Sequence, residues 1–454
     1  LPLHLLLPTS SLLPISEVPM PTVAFHTLGC KVNQYDTQAM LECFVRAGYE
    51  VRPFTERADV YVVNTCTVTG TGDRKSMNAV RRAQRLNPQA DVVIAGCLAQ
   101  RDGEKLLETG ARLILGASRR GEVVELLHQA QREDRQIVAV QKDILRIPFE
   151  KLSVSGDMDR TRAVIKIQEG CDRYCAYCII PSVRGGIRSR EPADIRAEAI
   201  RLSNAGFQEL VLTGIHLTSY GRDLEDITLL DGIRAARAPG VKRLRLGSLE
   251  PVIATEAFAK SLREIPEICP QFHLALQSGS DTVLKRMRRR YTTEEFARSA
   301  DILREAFPGC ALTTDVITGF PGETEEEFAE TVAFVRKIGF ARIHVFPYSA
   351  RQGTPAASMP GQVPKALREE RARLLIAEGK KAAASWAEGQ LGRIRPVLVE
   401  DRDENGVPRG YTPEYAQVRV PDGKQGEIVE VKLVEYGEDG VFQGKIVHQK
   451  NGGA

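Results

Sequence analysis

The sequence predicts an α/β protein in three parts: an N-terminal parallel α/β domain, a central partial (β/α) barrel and a small C-terminal antiparallel β-barrel. Three observations predict it. From Pro21 onward, short β-type runs alternate with helical patterns, the signature of βαβ units. After a polar stretch, Ser153 to Asp159, the alternation resumes and continues to about Tyr348. Beyond about Gly392 the pattern becomes short Val/Ile-rich runs separated by Asn405-Gly406, Asp422-Gly423 and Asp439-Gly440, which are hairpin turn signals. The length of 454 residues agrees, since roughly 150 residues per domain allows about three.

Taken in order, Leu1 to Met20 is rich in Leu, Pro and Ser, but lacks a basic n-region and a span of about 20 apolar residues. Residues 1–20 are therefore expected to be a mis-called or disordered leader, with Met20 as the initiator, and neither secretion nor membrane insertion is expected. In residues 21–150, Thr22 to Thr27 reads as a strand, Asp36 to Ala47 as a helix stopped by Gly48, and Asp59 to Val63 and Asp91 to Ala95 as further strands. A cysteine follows each strand almost at once: Cys30, Cys66 and Cys97, separated by 36 and 31 residues, about one βαβ repeat. Parallel strands end at one edge of their sheet, so the three cysteines should converge on one rim.

The polar stretch reads as a linker. In residues 157–388, strand-like runs at Ala163 to Ile167, Glu209 to Thr213, Arg243 to Leu246, His273 to Leu276, Ala311 to Val316 and Arg342 to Phe346 make six βα repeats, which suits a partial barrel better than a closed eight-stranded one. An Ala, Lys and Arg-rich helix, Lys365 to Glu388, leads to the last domain, residues 389–450.

Hydrophobic residues at 43% and charged residues at 27% are ordinary globular values and exclude wholesale disorder. Sixty-two Lys and Arg against 59 Asp and Glu leave a net charge of +3, so nucleic-acid affinity would have to come from local patches. Nine cysteines, an odd number with three clustered, fit metal ligation in a reducing cytosol rather than a disulfide framework.

The most informative run is Glu169-Gly170-Cys171-Asp172-Arg173-Tyr174-Cys175-Ala176-Tyr177-Cys178. Three thiolates on one tight loop can hold three corners of a 4Fe-4S cluster and leave one iron open. S-adenosylmethionine can chelate that iron and be cleaved by an electron from the cluster to a 5′-deoxyadenosyl radical. A structural zinc site is the other use of such a triplet, but would call for a fourth Cys or His, and the nearest downstream histidine is His216.

At this run the chain resembles the radical S-adenosylmethionine superfamily. Thr27-Leu28-Gly29-Cys30-Lys31-Val32-Asn33-Gln34-Tyr35-Asp36, Asn64-Thr65-Cys66, Ala95-Gly96-Cys97 and Cys178-Ile179-Ile180-Pro181-Ser182-Val183-Arg184-Gly185 extend the resemblance to its methylthiotransferases. The Lys-Val-Asn-Gln form of the first motif is most similar to the branch acting on threonylcarbamoyladenosine in tRNA. The resemblance spans Thr22 to Val447 and implies a radical-SAM barrel, with catalysis at Cys171, Cys175 and Cys178. It also implies a second 4Fe-4S cluster on Cys30, Cys66 and Cys97 that carries sulfur. Cys43, Cys269 and Cys310 have no such placement.

The resemblance further implies contacts to S-adenosylmethionine from Tyr177, Gly214, Glu250, Gln277 and Ser278, at strand ends where barrel chemistry sits. Asp315-Val316-Ile317-Thr318-Gly319-Phe320-Pro321-Gly322-Glu323 is similar to a segment lying against the adenine, though the final Glu is shifted by one. Basic clusters offer a grip on the phosphates of a tRNA anticodon stem-loop: Arg184, Arg188 and Arg190, then Lys285, Arg286, Arg288, Arg289 and Arg290. The last domain resembles a TRAM domain, although it carries more acidic than basic residues, so its RNA contacts would rest on Arg393, Arg395, Arg409, Arg419 and Lys424.

The expectation is a cytoplasmic tRNA methylthiotransferase, with an electron donor such as a flavodoxin or ferredoxin as partner. Alternatives are a methylthiotransferase for isopentenyladenosine tRNA or a ribosomal-protein aspartate, or a non-catalytic iron–sulfur RNA-binding protein.

Overall fold

The computed structural model describes residues 20–145, 147–156 and 160–447. Residues 1–19 of the expected leader and residues 157–159 of the polar stretch lie outside the described residues.

The first sheet has six strands: β1 (Thr22–Thr27), β2 (Glu50–Arg52), β3 (Val60–Thr65), β4 (Asp91–Gly96), β5 (Leu113–Leu115) and β6 (Ile137–Ala139). Their order is β2-β1-β3-β4-β5-β6, and all pairings are parallel. All six residues of β3 are buried, as expected where helices cover both faces of a parallel sheet. Val60 and Val62 pack into one core, while Tyr61 and Val63 pack into the other. The helices that position the site are α1 (Lys31–Arg46), α2 (Gly70–Leu86), α3 (Cys97–Asp102) and α4 (Val123–Arg132). Helix α1 begins five residues before the expected Asp36. Cys30, in extended conformation, occupies its N-cap without a side-chain cap bond, so no sequence signal marks the start.

The polar stretch is not a loose linker as far as Gly156, which corrects the expectation. Leu152 and Val154 are buried. The Val154 N–H donates to Glu198 at 2.9 Å, and the Tyr35 hydroxyl donates to the Leu152 carbonyl at 2.8 Å.

The central region contains β7 (Arg162–Glu169), a short β8 (Arg188–Ser189), β9 (Glu209–Gly214), β10 (Arg243–Leu246), β11 (Gln271–His273), β12 (Ala311–Thr318) and β13 (Arg342–Pro347). They form two arcs, β10-β9-β7-β8 and β11-β12-β13, joined by isolated bridges Leu244 to Ile268 and Leu249 to Leu274. Strand β8 is antiparallel and the other pairings are parallel. Strand β11 stops at His273, three residues short of the expected Leu276, and Gln277 beyond it adopts a left-handed φ of 69°. Helix α5 (Ile180–Arg184) lies between β7 and β8.

The helix Lys365–Glu388 leads into β14 (Ile394–Arg402), β15 (Pro408–Tyr411), β16 (Gln417–Arg419), β17 (Ile428–Tyr436) and β18 (Phe442–Ile446), a closed barrel. Its pairings are antiparallel except β16 with β18, which is parallel. Arg243 and Arg245 seat this barrel on the central region by donating to backbone carbonyls, Arg243 to Tyr411 at 2.9 Å and Pro396 at 2.5 Å, Arg245 to Pro413 at 2.9 Å. The Arg162 guanidinium lies 5.2 and 5.1 Å from the ring centroids of Tyr411 and Tyr415, themselves stacked at 4.6 Å. No helix among the described residues is long and apolar enough to cross a membrane.

Candidate functional site

Strands β1, β3 and β4 end together, and Cys30, Cys66 and Cys97 follow them at one rim. A Cβ on Gly29 would lie 3.1 Å from the Cys66 sulfur, and Gly29 has φ +102°, so the chain beside that thiol must stay bare. Burial raises the Cys66 thiol to about 11. Thiols held neutral in this way ionise against a bound cation, as iron supplies.

The second triplet lies on one loop after β7. Burial raises Cys171 to about 11 and Cys178 to about 12, and the other thiols of the loop add to it. The Cys178 N–H closes a turn on the Cys175 carbonyl at 3.0 Å, and the Cys171 N–H donates to the Gly185 carbonyl at 2.9 Å. Arg289 donates to the Cys175 sulfur at 3.3 Å.

Buried charges join the two triplets. Asp36 on α1 accepts from Lys166 on β7 at 2.5 Å and Arg184 at 2.8 Å, and pairs with Arg120 at 3.1 Å. Glu169, two residues before Cys171, meets Arg184 at 3.0 Å and Lys166 at 3.1 Å. Burial alone would raise the Asp36 and Glu169 carboxyls, but these cations hold both below the ordinary range. The Arg184 Nε donates to the Cys97 sulfur at 3.1 Å, and Cys97, Ile179 and Val183 form one apolar cluster.

Three expected RNA contacts are therefore corrected. Arg184, Arg188 and Arg190 are at most 5% exposed, and a phosphate cannot reach them. Arg184 serves the network, Arg188 donates to the Arg184 carbonyl at 2.9 Å, and Arg190 pairs with Glu198. Arg289 is also turned inward, to Cys175 and Glu250, and Arg286 is held by Glu327 at 2.6 Å. Lys285, Arg288 and Arg290 are exposed and make no ion pair with a described residue. In the last barrel, Arg395, Arg409 and Arg419 are engaged by Glu414, Asp401 and Asp403, whereas Arg393 and Lys424 are exposed.

Among the residues expected at S-adenosylmethionine, Glu250 sits in a cage of Arg173 at 2.8 Å, Arg289 at 3.1 Å and His216 at 3.2 Å. Burial opposes its charge, but His216 beside it, then Arg289 and Arg173, bring its carboxyl down to about 2. His216 thus faces Glu250. Tyr177 packs edge-on to Phe320 at 6.5 Å, Gly214 ends β9 against Gln168, and the Gln277 N–H donates to the Asp315 carbonyl at 2.8 Å. The Ser278 side chain is a correction: it is fully buried, and its hydroxyl is shared with Thr331 at 3.2 Å.

Sequence reasoning missed Asp36, Arg120, Lys166 and Arg173. Lys166 carried a signal, a lone cation in the apolar run Ala163-Val164-Ile165-Lys166-Ile167, because a cation buried in a strand requires a partner. Each triplet is a three-thiol donor set with a buried cation beside one sulfur, which fits a 4Fe-4S cluster lacking a fourth protein ligand. Among the described residues no three His, Cys, Asp or Glu groups could hold a single metal ion.

Residues 22–116 match the model of Uncharacterized protein family UPF0004, and residues 165–335 match the Radical SAM superfamily. The chain is 43% identical over 427 residues to the threonylcarbamoyladenosine tRNA methylthiotransferase MtaB of Bacillus subtilis, covering 92% of this chain and 95% of that protein. It is 34% identical to the corresponding protein of Thermotoga maritima, covering 93% and 96%. A tRNA-2-methylthio-N(6)-dimethylallyladenosine synthase of Mycobacteroides abscessus is 34% identical, covering 83% and 77%. In fold, the chain is similar to the radical S-adenosylmethionine methyltransferase TsrM of Kitasatospora setae, with TM-score 0.53 and 18% identity, covering 74% and 75%.

Proposed function

The chain belongs to the methylthiotransferase family of the radical S-adenosylmethionine superfamily, and from that premise we propose that it adds a methylthio group to carbon 2 of threonylcarbamoyladenosine beside a tRNA anticodon. The enzyme uses S-adenosylmethionine and 4Fe-4S clusters. In this reading Cys171, Cys175 and Cys178 hold the radical cluster, and Cys30, Cys66 and Cys97 hold the auxiliary one. When bound, these groups supply an electron, a methyl group, a sulfur atom and a 5′-deoxyadenosyl radical able to activate an aromatic carbon–hydrogen bond.

The protein's own residues position and enclose. Glu250, charged and caged by three basic side chains, offers a fixed carboxylate beside the loop for the amino group of S-adenosylmethionine. Tyr177, packed on Phe320, gives that pocket an apolar wall. Exposed Lys285, Arg288 and Arg290 present cations to phosphates of the anticodon stem-loop, and the TRAM-like barrel adds Arg393 and Lys424. A cytoplasmic flavodoxin or ferredoxin supplies the electrons.

The observation that carries this reading is 43% identity across 92% of the chain to a threonylcarbamoyladenosine enzyme, with both cysteine triplets brought to one charge network. The relative named for dimethylallyladenosine, 34% identical, keeps that nucleoside as a second reading. The test is nucleoside mass spectrometry after anaerobic incubation of reconstituted protein, reductant and S-adenosylmethionine with tRNA carrying either nucleoside. A methylthio mass gain on threonylcarbamoyladenosine alone is expected. Gain on the other alone would overturn the substrate. Release of 5′-deoxyadenosine with gain on neither would point to a protein substrate, and tRNA binding with no release would mean a non-catalytic iron–sulfur protein.

A further inference from the structure

Arg184 does not have the geometry of an ordinary buried ion-pair arginine. A structural pair usually presents the guanidinium fork to one carboxylate through two parallel bonds. Here a single terminal nitrogen serves both carboxylates, Asp36 at 2.8 Å and Glu169 at 3.0 Å. The other terminal nitrogen donates to the Asn33 side-chain oxygen, which leaves Nε–H aimed at the Cys97 sulfur at 3.1 Å. The residue is fully buried, so none of these donors is shared with water. With Arg120 and Lys166, Arg184 supplies the third positive charge against Asp36, Glu169 and Glu150, and that balance needs only its terminal nitrogen, not the Nε–H directed at sulfur.

We propose that Arg184 is a positioning residue that sets the reduction potential of the cluster on Cys30, Cys66 and Cys97 through its hydrogen bond to the Cys97 sulfur, with Asp36, Glu169 and Asn33 fixing its aim. The inference rests on the cluster assignment made above. A cationic N–H donor to a ligating sulfur favours the more electron-rich, reduced cluster, in a site whose low polarity strengthens the effect. The same side chain grips Glu169, two residues before Cys171, so the aim of the donor is referenced to the radical loop.

The test uses the full chain with Cys171, Cys175 and Cys178 replaced by Ala, reconstituted so that only the auxiliary cluster is present, and EPR-monitored redox titration. Arg184→Met should raise the oxidised-to-reduced ratio about tenfold at the parent's midpoint, a fall of about 59 mV for one electron. Arg184→Lys, which keeps the charge but not the directed Nε–H, should shift it the same way by less. Independently, the reduced parent cluster should show ENDOR coupling to an exchangeable proton that disappears in deuterated buffer and in Arg184→Lys. This measurement decides the matter if Arg184→Met loses its cluster. An unmoved midpoint in Arg184→Lys, or no exchangeable coupling in the parent, overturns the inference. Absence of any 4Fe-4S spectrum in the parent would overturn the cluster assignment itself, and the inference with it.

Discussion

The two cysteine triplets differ in how much of the chain must be in place before the third thiol arrives. Cys171, Cys175 and Cys178 share one loop, shaped by local turns such as the Cys178 N–H to Cys175 carbonyl bond. Cys30, Cys66 and Cys97 come from three βα junctions and meet only when β1, β3 and β4 pair in register, with Asn64 beside Ala95 and Thr65 beside Gly96. One site is a property of a loop, the other of a sheet. The buried charges around Asp36 and Glu169 then make the two interdependent in position.

Substitutions that separate the triplets test this contrast most strongly. Cys175→Ala should abolish 5′-deoxyadenosine release, whereas Cys66→Ala should spare release and abolish the methylthio product, both read by liquid chromatography with mass spectrometry. Full product from Cys66→Ala would end the idea that the sheet-built site carries the sulfur. Next, Gly170→Ala should cost the loop site while sparing the sheet site. Gly170 has φ +72°, and a Cβ there would meet the Gly186 carbonyl oxygen at 1.7 Å. Bound iron should fall by about half, since the two clusters carry equal iron, and release should fall with it.

Cutting the link between the sites should cost stability. Asp36→Ala would strip the shared partner from Lys166, Arg184 and Arg120, and breaking such buried pairs costs about 3–5 kcal/mol, measurable by urea unfolding. A loss no larger than a surface substitution gives would mean that the triplets are not mechanically joined. A smaller effect concerns acid. Glu250 titrates at about 2 when folded, below its ordinary 4.5, so its contribution is present above about 4.5 and fades as pH falls toward 2. Glu250→Gln should flatten that part of the melting temperature against pH. The smallest effect is expected from replacing Lys285, Arg288 and Arg290 together by Ala. Affinity for tRNA should weaken a few-fold with a shallower salt dependence, and an unchanged salt slope would place the RNA elsewhere.

Legibility in the sequence followed the same contrast. The loop triplet was visible as a spacing, and the sheet triplet as cysteines trailing β-type runs one repeat apart. Strands of three residues, β2, β5 and β6, were too short to show periodicity. The arginines after Cys178 were misread because their sign is local information while their partners are not: Arg184 meets Asp36 from 148 residues away, and Arg190 hydrogen-bonds the Tyr35 hydroxyl from 155. A run of cations on paper cannot show whether a carboxylate folds back onto it, and here three of them closed the core between domains.

The seating of the last barrel bears on how such enzymes can diversify. Arg243 and Arg245 hold it by backbone carbonyls, those of Tyr411, Pro396 and Pro413, and every amino acid supplies a carbonyl. The socket therefore reads the path of the incoming chain, with a few side chains as well, among them Glu400, which pairs with Arg162 at 2.8 Å. A barrel of quite different surface sequence could be grafted onto the same catalytic body, provided its loops trace the same curve and keep a carboxylate and an aromatic pair for Arg162.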